Sequence, residues 1–216
     1  DGYWVKIDDA TGLDIAGTPT VNHNVDDYAY SLSQGNNLIS YPYSPSLNQN
    51  IDNTSSEGLY GVAGEGYAAI ALPNGEWAGS LNAFEGGKGY WFVSNYDFDF
   101  LYGIPTRAEG GLVREAIKQA VIEVPLAYRY VQSMNQQFFF INEATINGDP
   151  LEEGDWIISY NSDVIVGARM WTGEYTDVPA MGYDGSDASS VMTAGYCESG
   201  DVITFKVYDI SQDKLV

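Results

Sequence analysis

An acidic stretch near the carboxyl end of the chain has the residue types that bind calcium. It reads MGYDGSDAS, in which Asp184 and Asp187 offer carboxylate oxygens and Gly185 lets the backbone turn. Asp177 adds a third carboxylate from the same polar segment. Calcium takes about six to eight oxygen ligands, and the stretch does not match the EF-hand loop. Calcium is therefore a candidate ligand, with an ordinary Asp-Gly turn as the alternative. The sequence requires no cofactor.

Aromatic side chains bracket the same segment and could form a sugar-binding platform. Trp171, Tyr175 and Tyr183 lie along it, and Trp77 follows the Pro-Asn-Gly turn at residues 73–75. Flat rings stack on the apolar faces of sugars, while nearby polar groups bind the hydroxyls. A role in the core is the alternative for each ring. These four residues are the predicted ligand-binding residues.

Residues for nucleophilic or zinc chemistry are scarce. His23 is the only histidine and Cys197 the only cysteine, so a tetrahedral zinc site built from histidine and cysteine is excluded. A catalytic triad would have to use His23, which lies in the polar stretch TVNHNVDD. A glycosidase needs only two carboxylates, but 30 acidic residues supply suitable pairs by chance. We therefore predict that the protein is not an enzyme.

The net charge limits the partners. Nine basic residues stand against 30 acidic ones, which gives a charge of −21 at pH 7. A surface of this sign repels nucleic-acid phosphates and anionic membranes. No apolar run approaches the roughly 20 residues that a membrane-spanning helix needs. The sequence predicts neither a nucleic-acid partner nor membrane insertion.

A tripeptide repeat indicates how the first half is organised. Gly-Tyr-Trp occurs at residues 2–4 and again at 89–91, an offset of 89 − 2 = 87 residues. A period of this length corresponds to a small domain. We therefore predict that residues 1–19 are the remnant of a preceding repeat and that residues 20–106 are a complete module. Short apolar runs separated by glycine-rich turns predict strands in this module.

The second half has a different pattern. Residues 107–123 include GLVREAIKQAV, whose apolar spacing fits a short helical connector, with an extended linker as the alternative. Residues 124–216 contain strand-like runs, among them AYRYVQ at residues 127–132, and a tight-turn signal at Asn147-Gly148. Residues 172–190 are polar and glycine-containing, which predicts a long loop. The predicted fold class is all-β, with two antiparallel β-sandwich-like modules in tandem.

Both halves resemble known modules. Residues 35–40 and 88–91 are similar to the G-x-N-L-I-S start and G-K-G-Y-W end of a repeat module. Residues 138–160, 166–171, 177–185 and 200–209 resemble a sandwich module with the motifs G-D-x-I, V-G-A-R-x-W, D-V-P-A-M-G-x-D-G and F-K-V-Y-D. Such modules belong to large extracellular proteins of bacteria and to structural or fibre proteins of marine phages. The resemblance implies attachment or scaffolding on a cell or virion surface.

These observations lead to one expected function and two alternatives. We expect a non-catalytic extracellular, cell-surface or virion-surface module for adhesion or structural assembly. Its partner would be a glycan, a surface protein or copies of itself. The first alternative is a carbohydrate-binding module of a secreted polysaccharide-degrading protein, and the second is a glycan hydrolase.

Overall fold

The protein is all-β throughout the part of the chain that the structure describes. The computed structural model describes residues 29–43, 47–103, 123–185 and 190–216. In these ranges the only helical elements are the 3-10 turns Ile51–Asn53 and Leu126–Tyr128, and every ladder between named strands is antiparallel. No helix in these ranges has the length and apolar character needed to cross a bilayer. The predicted remnant at 1–19 and all but the last residue of the predicted connector lie outside the described residues.

The described residues form two compact units. The first contains residues 29–43, 47–64 and 68–103. The second contains residues 123–185 and 190–216 together with Glu65–Tyr67. Each unit has its own sheets and its own buried side chains.

The first unit consists of one five-stranded sheet and two strand pairs. The five-stranded sheet has the order β2-β8-β4-β5-β6, and the pairs are β1-β9 and β3-β7. The strands are β1 (Ala29–Leu32), β2 (Gly35–Ser40), β3 (Gln49–Asn50), β4 (Leu59–Ala63), β5 (Ala68–Ala71), β6 (Trp77–Gly79), β7 (Ala83–Phe84), β8 (Gly89–Ser94) and β9 (Phe98–Leu101).

Aromatic rings fill the core of the first unit. Strand β8 alternates in burial, so that Tyr90 and Phe92 face the core while Trp91 is half-buried. Phe84 lies 4.9 Å from the Tyr90 ring and 5.2 Å from the Tyr102 ring, in edge-to-face geometry. Burial raises the pKa of Tyr90 to about 12. The core therefore holds neutral phenols at physiological pH.

The second unit is a sandwich of a four-stranded sheet and a strand pair. The four-stranded sheet has the order β14-β13-β16-β17, and β10 pairs with β15. A short hairpin, β11-β12, turns at Asn147 and Gly148, which have φ values of 54° and 97°. The strands are β10 (Gln136–Ile141), β11 (Thr145–Ile146), β12 (Asp149–Pro150), β13 (Trp156–Asn161), β14 (Val164–Met170), β15 (Thr176–Met181), β16 (Ile203–Asp209) and β17 (Lys214–Leu215).

The two layers of this sandwich approach closely where β14 meets β15. A Cβ atom added to Gly167 would lie 1.8 Å from the carbonyl oxygen of Pro179. That oxygen also accepts a hydrogen bond of 2.6 Å from the buried hydroxyl of Ser159 on β13. The glycine is thus required by backbone approach and not by its φ angle. This contact fixes β15 against the four-stranded sheet.

The opposite face of the four-stranded sheet is covered by the segment that precedes β10. Trp156, Ile158 and Tyr160 form a buried cluster on this face. Tyr128 and Tyr130 pack against that cluster. The run AYRYVQ, which its alternation predicts to be a strand, instead contains part of a 3-10 turn. Both faces of strand β13 are consequently buried.

We predict that Gly167→Ala destabilises the second unit by about 3 kcal/mol, the upper end of the usual cost of overpacking, because a backbone carbonyl cannot move aside as a flexible side chain can. The matched control is Gly185→Ala, whose added Cβ would meet only Tyr183 at 3.5 Å. Chemical denaturation measures both variants. Equal stability of the two variants would contradict the close approach.

Candidate functional site

The polar segment predicted to be a loop contains a buried strand. Residues Thr176–Met181 form β15, and all six are buried. β15 pairs with β10, with Phe139 opposite Val178. Pro179 is tolerated because, among the described strands, β15 has a ladder partner only in β10. The prediction of one long loop over residues 172–190 was wrong in this part.

The three predicted ligand-binding aromatics of this segment are placed differently from one another. Trp171 is half-buried and packs against the cluster of Leu151, Ile157 and Val178. Tyr183 packs against a different cluster, which includes Val166. Tyr175 is half-buried and has a φ of 65°. Within the described residues no ring contact joins these three side chains, so they do not form one stacked platform.

Trp77, the fourth predicted ligand-binding residue, belongs to the first unit. It begins the edge strand β6 and is half-buried. Its indole N–H donates a 3.0 Å hydrogen bond to the carbonyl of Thr54. The indole N–H of Trp77 is thus hydrogen-bonded within the first unit.

The three predicted calcium ligands also have different surroundings. Asp184 is buried, and its backbone N–H donates to the hydroxyl of Thr193 at 3.1 Å. Asp177 is buried on β15 beside Arg169, and Asp187 lies outside the described residues. Among the residues that the structure describes, no three acidic, histidine or cysteine side chains cluster as metal ligands. Calcium binding therefore stays a prediction.

Asp177 instead forms a buried ion pair with Arg169. Nη2 of Arg169 lies 3.1 Å from Oδ2 of Asp177, and the two side chains are only 7% and 1% exposed. Nε of Arg169 also donates to the backbone carbonyl of Asp177 at 2.9 Å. The pair connects β14 of one sheet with β15 of the other. Arg169 is held in a fixed orientation by these two bonds.

Arg169 also holds the short segment Glu65–Tyr67. Nη2 of Arg169 donates to the carbonyl of Gly66, and the guanidinium carbon lies 5.3 Å from the centroid of the Tyr67 ring. The N–H of Gly66 donates to the side chain of Gln136 at 3.4 Å. Gly66 has a φ of 77°, which favours glycine at this point. The Arg169 guanidinium therefore binds Asp177 on β15 and also contacts the Tyr67 ring.

A concave surface opens beside this guanidinium. We call it the aromatic–arginine groove, and it encloses about 350 Å³. Its apolar walls include Tyr67, Tyr130, Trp156 and Met170. Ligand pockets commonly range from about 300 to 1,000 Å³ and combine apolar walls with a few polar groups. The volume of the groove lies at the lower end of this range, and the groove combines apolar walls with polar groups.

Three hydrogen-bond donors of the groove have no described partner. Nη1 of Arg169 and the hydroxyls of Tyr67 and Tyr130 make no hydrogen bond within the described residues. Of the described side chains, only those of Gln49 and Tyr102 have a polar atom that is both sealed from solvent and unpartnered. The three groove donors thus remain open to solvent. Each of them can donate a hydrogen bond to an oxygen acceptor.

The described lining residues of the groove carry charges of both signs. Arg129 and Arg169 line it together with Glu65 and Glu123. Burial raises the pKa of the Tyr130 phenol, and the nearby Arg169 guanidinium opposes part of that rise. Tyr130 is therefore a neutral hydrogen-bond donor at physiological pH. The arrangement suits recognition of a polar, ring-shaped ligand.

Sequence reasoning missed this groove. In the sequence, Arg169 stands out only as the Arg of the V-G-A-R-x-W motif, and the run that contains Tyr130 predicts a strand. One signal was present in the sequence, because a basic residue inside an apolar strand of an acidic chain needs a buried carboxylate. The partner could not be named, since the 30 acidic residues offered no basis for choosing Asp177.

Comparisons with known proteins add no relative. No protein-family model, curated protein sequence or solved structure matches this chain. The geometry of the groove is therefore the basis for a function.

We predict that Arg169→Met lowers the free energy of unfolding by about 3–5 kcal/mol, because it leaves the Asp177 carboxylate buried without its cation. The double variant Arg169→Met, Asp177→Asn should be more stable than Arg169→Met, since it buries no unpaired charge. Arg129→Met is the control and should change stability by less than about 0.5 kcal/mol, because Arg129 is exposed. Denaturant unfolding measures all three, and similar values for Arg169→Met and Arg129→Met would contradict the ion pair's role.

Proposed function

We propose that this chain is a non-catalytic extracellular or virion-surface module that serves adhesion by binding a glycan in the aromatic–arginine groove. The observation that carries the proposal is the arrangement of Tyr67, Tyr130 and Arg169 around one small concavity. Aromatic walls supply the stacking surface that a sugar ring needs, and Arg169, Tyr67 and Tyr130 carry N–H and O–H donors without a partner among the described residues.

Adhesion is favoured over structural assembly because of the shape of the site. A stable interface between protein chains buries about 800 Å² on each partner. The groove is instead a concavity of about 350 Å³, which suits a small ligand such as one end of a glycan. Its rigid support, a guanidinium bound to Asp177 and Gly66, reduces the entropy that ligand binding would otherwise cost.

The extracellular or virion-surface location is supported by composition and by the resemblance. A chain with a charge of −21 stays soluble and avoids phosphate-rich partners. The same groove would serve a carbohydrate-binding module of a secreted polysaccharide-degrading protein. The two versions differ in what the rest of the polypeptide does, and both require the groove to bind sugar.

An array of immobilised oligosaccharides, followed by calorimetry on the strongest binder, tests the proposal. Tyr67→Ala should weaken binding about tenfold, because it removes a stacking wall and an open hydroxyl. Tyr60→Ala is the matched control, since Tyr60 is 56% exposed and does not line the groove. Absence of binding to every glycan, or equal loss in both variants, would refute the proposed function.

A further inference from the structure

We infer that the groove selects uncharged sugars and rejects carboxylated ones, an inference that rests on the proposed glycan binding. The first reason is that the charge of Arg169 is already balanced. Its guanidinium lies 3.1 Å from the Asp177 carboxylate, and both side chains are buried. The open Nη1 therefore presents N–H donors without a local excess of positive charge.

The remaining charged groups of the groove do not favour an anion. Among the described lining residues, Arg129 is the other basic one, and Glu65 and Glu123 carry the opposite charge. Both glutamates are exposed, and the whole chain carries −21. The field of such a chain repels anions at a distance, whereas an uncharged sugar meets no such barrier.

Hydrogen-bond chemistry also favours an uncharged sugar over a carboxylated one. An ionised glutamate can only accept hydrogen bonds, and a ligand carboxylate can also only accept them. A sugar hydroxyl both donates and accepts, so one sugar can donate to Glu123 and accept from Tyr130. A uronate carboxylate placed beside Glu123 would face a second acceptor of the same charge. Glu123, with Glu65, is thus assigned a role in specificity.

Pairs of oligosaccharides that differ in charge but not in ring shape test this inference. Galactan and galacturonan oligosaccharides of equal length and linkage differ only at C6, which is a hydroxymethyl carbon in the first and a carboxylate carbon in the second. Glucan and glucuronan oligosaccharides form a second pair. Calorimetry on the intact chain should show at least tenfold tighter binding of one neutral member than of its uronate at low ionic strength. Added salt should narrow this ratio, because salt screens repulsion between exposed charges.

The double variant Glu65→Gln, Glu123→Gln should narrow the ratio in the same way, by improving uronate binding. Glu143→Gln is the control, since Glu143 is exposed in the same unit but does not line the groove. Equal or tighter binding of the uronate overturns the inference and leaves glycan binding intact. Binding of neither member of each pair overturns both. If the ratio of the affinities for the neutral oligosaccharide and its uronate is the same in the double variant as in the unchanged protein, the proposed role of the two glutamates is wrong.

Discussion

The buried ion pair between Arg169 and Asp177 is the constraint on which the second unit depends. Burying two charges is costly, and it is tolerated only when each charge has partners of good geometry. Here the guanidinium binds the carboxylate, the backbone of the same aspartate and the carbonyl of Gly66. These bonds link strands from both layers of the sandwich. They also hold Arg169 in place where it lines the groove.

Apolar packing surrounds the ion pair between Arg169 and Asp177. On one side, the close approach of Gly167 and Pro179 brings β14 and β15 together, so the arginine and the aspartate can meet. On the other side, Trp156 and its neighbours cover the sheet face and extend to the groove wall. The first unit is stiffened differently, by edge-to-face packing of buried aromatic rings. In both units rigidity comes from packed side chains and not from disulfides, because the chain has a single cysteine.

Local sequence signals predicted the strands and failed at the site. Alternating burial on β8 and the turn at Asn147-Gly148 follow from side-chain periodicity and from the positive φ that the turn requires. The strand β15 was missed because Asp177 and Pro179 are typical of loops, and only the pairing with β10 and the bond to Arg169 make them compatible with a strand. The groove draws on residues 65–67, 123–132 and 156–170, and their proximity is a tertiary property that no local pattern encodes. Of the aromatic residues that the sequence predicts as ligand-binding beside the polar segment, Trp171 and Tyr183 pack against separate buried clusters.

The central claim is that a rigid guanidinium and its aromatic neighbours form a binding site for sugar. An NMR titration of the isotope-labelled protein with a neutral oligosaccharide that it binds tests this most directly. If the groove binds the sugar, the largest chemical-shift changes occur at the amides of residues 65–67 and 130–132 and at the side-chain N–H groups of Arg169. Magnetisation transfer from sugar protons to the rings of Tyr67 and Tyr130 is also expected. Shifts centred on residues 171–183, or on Trp77, would contradict it.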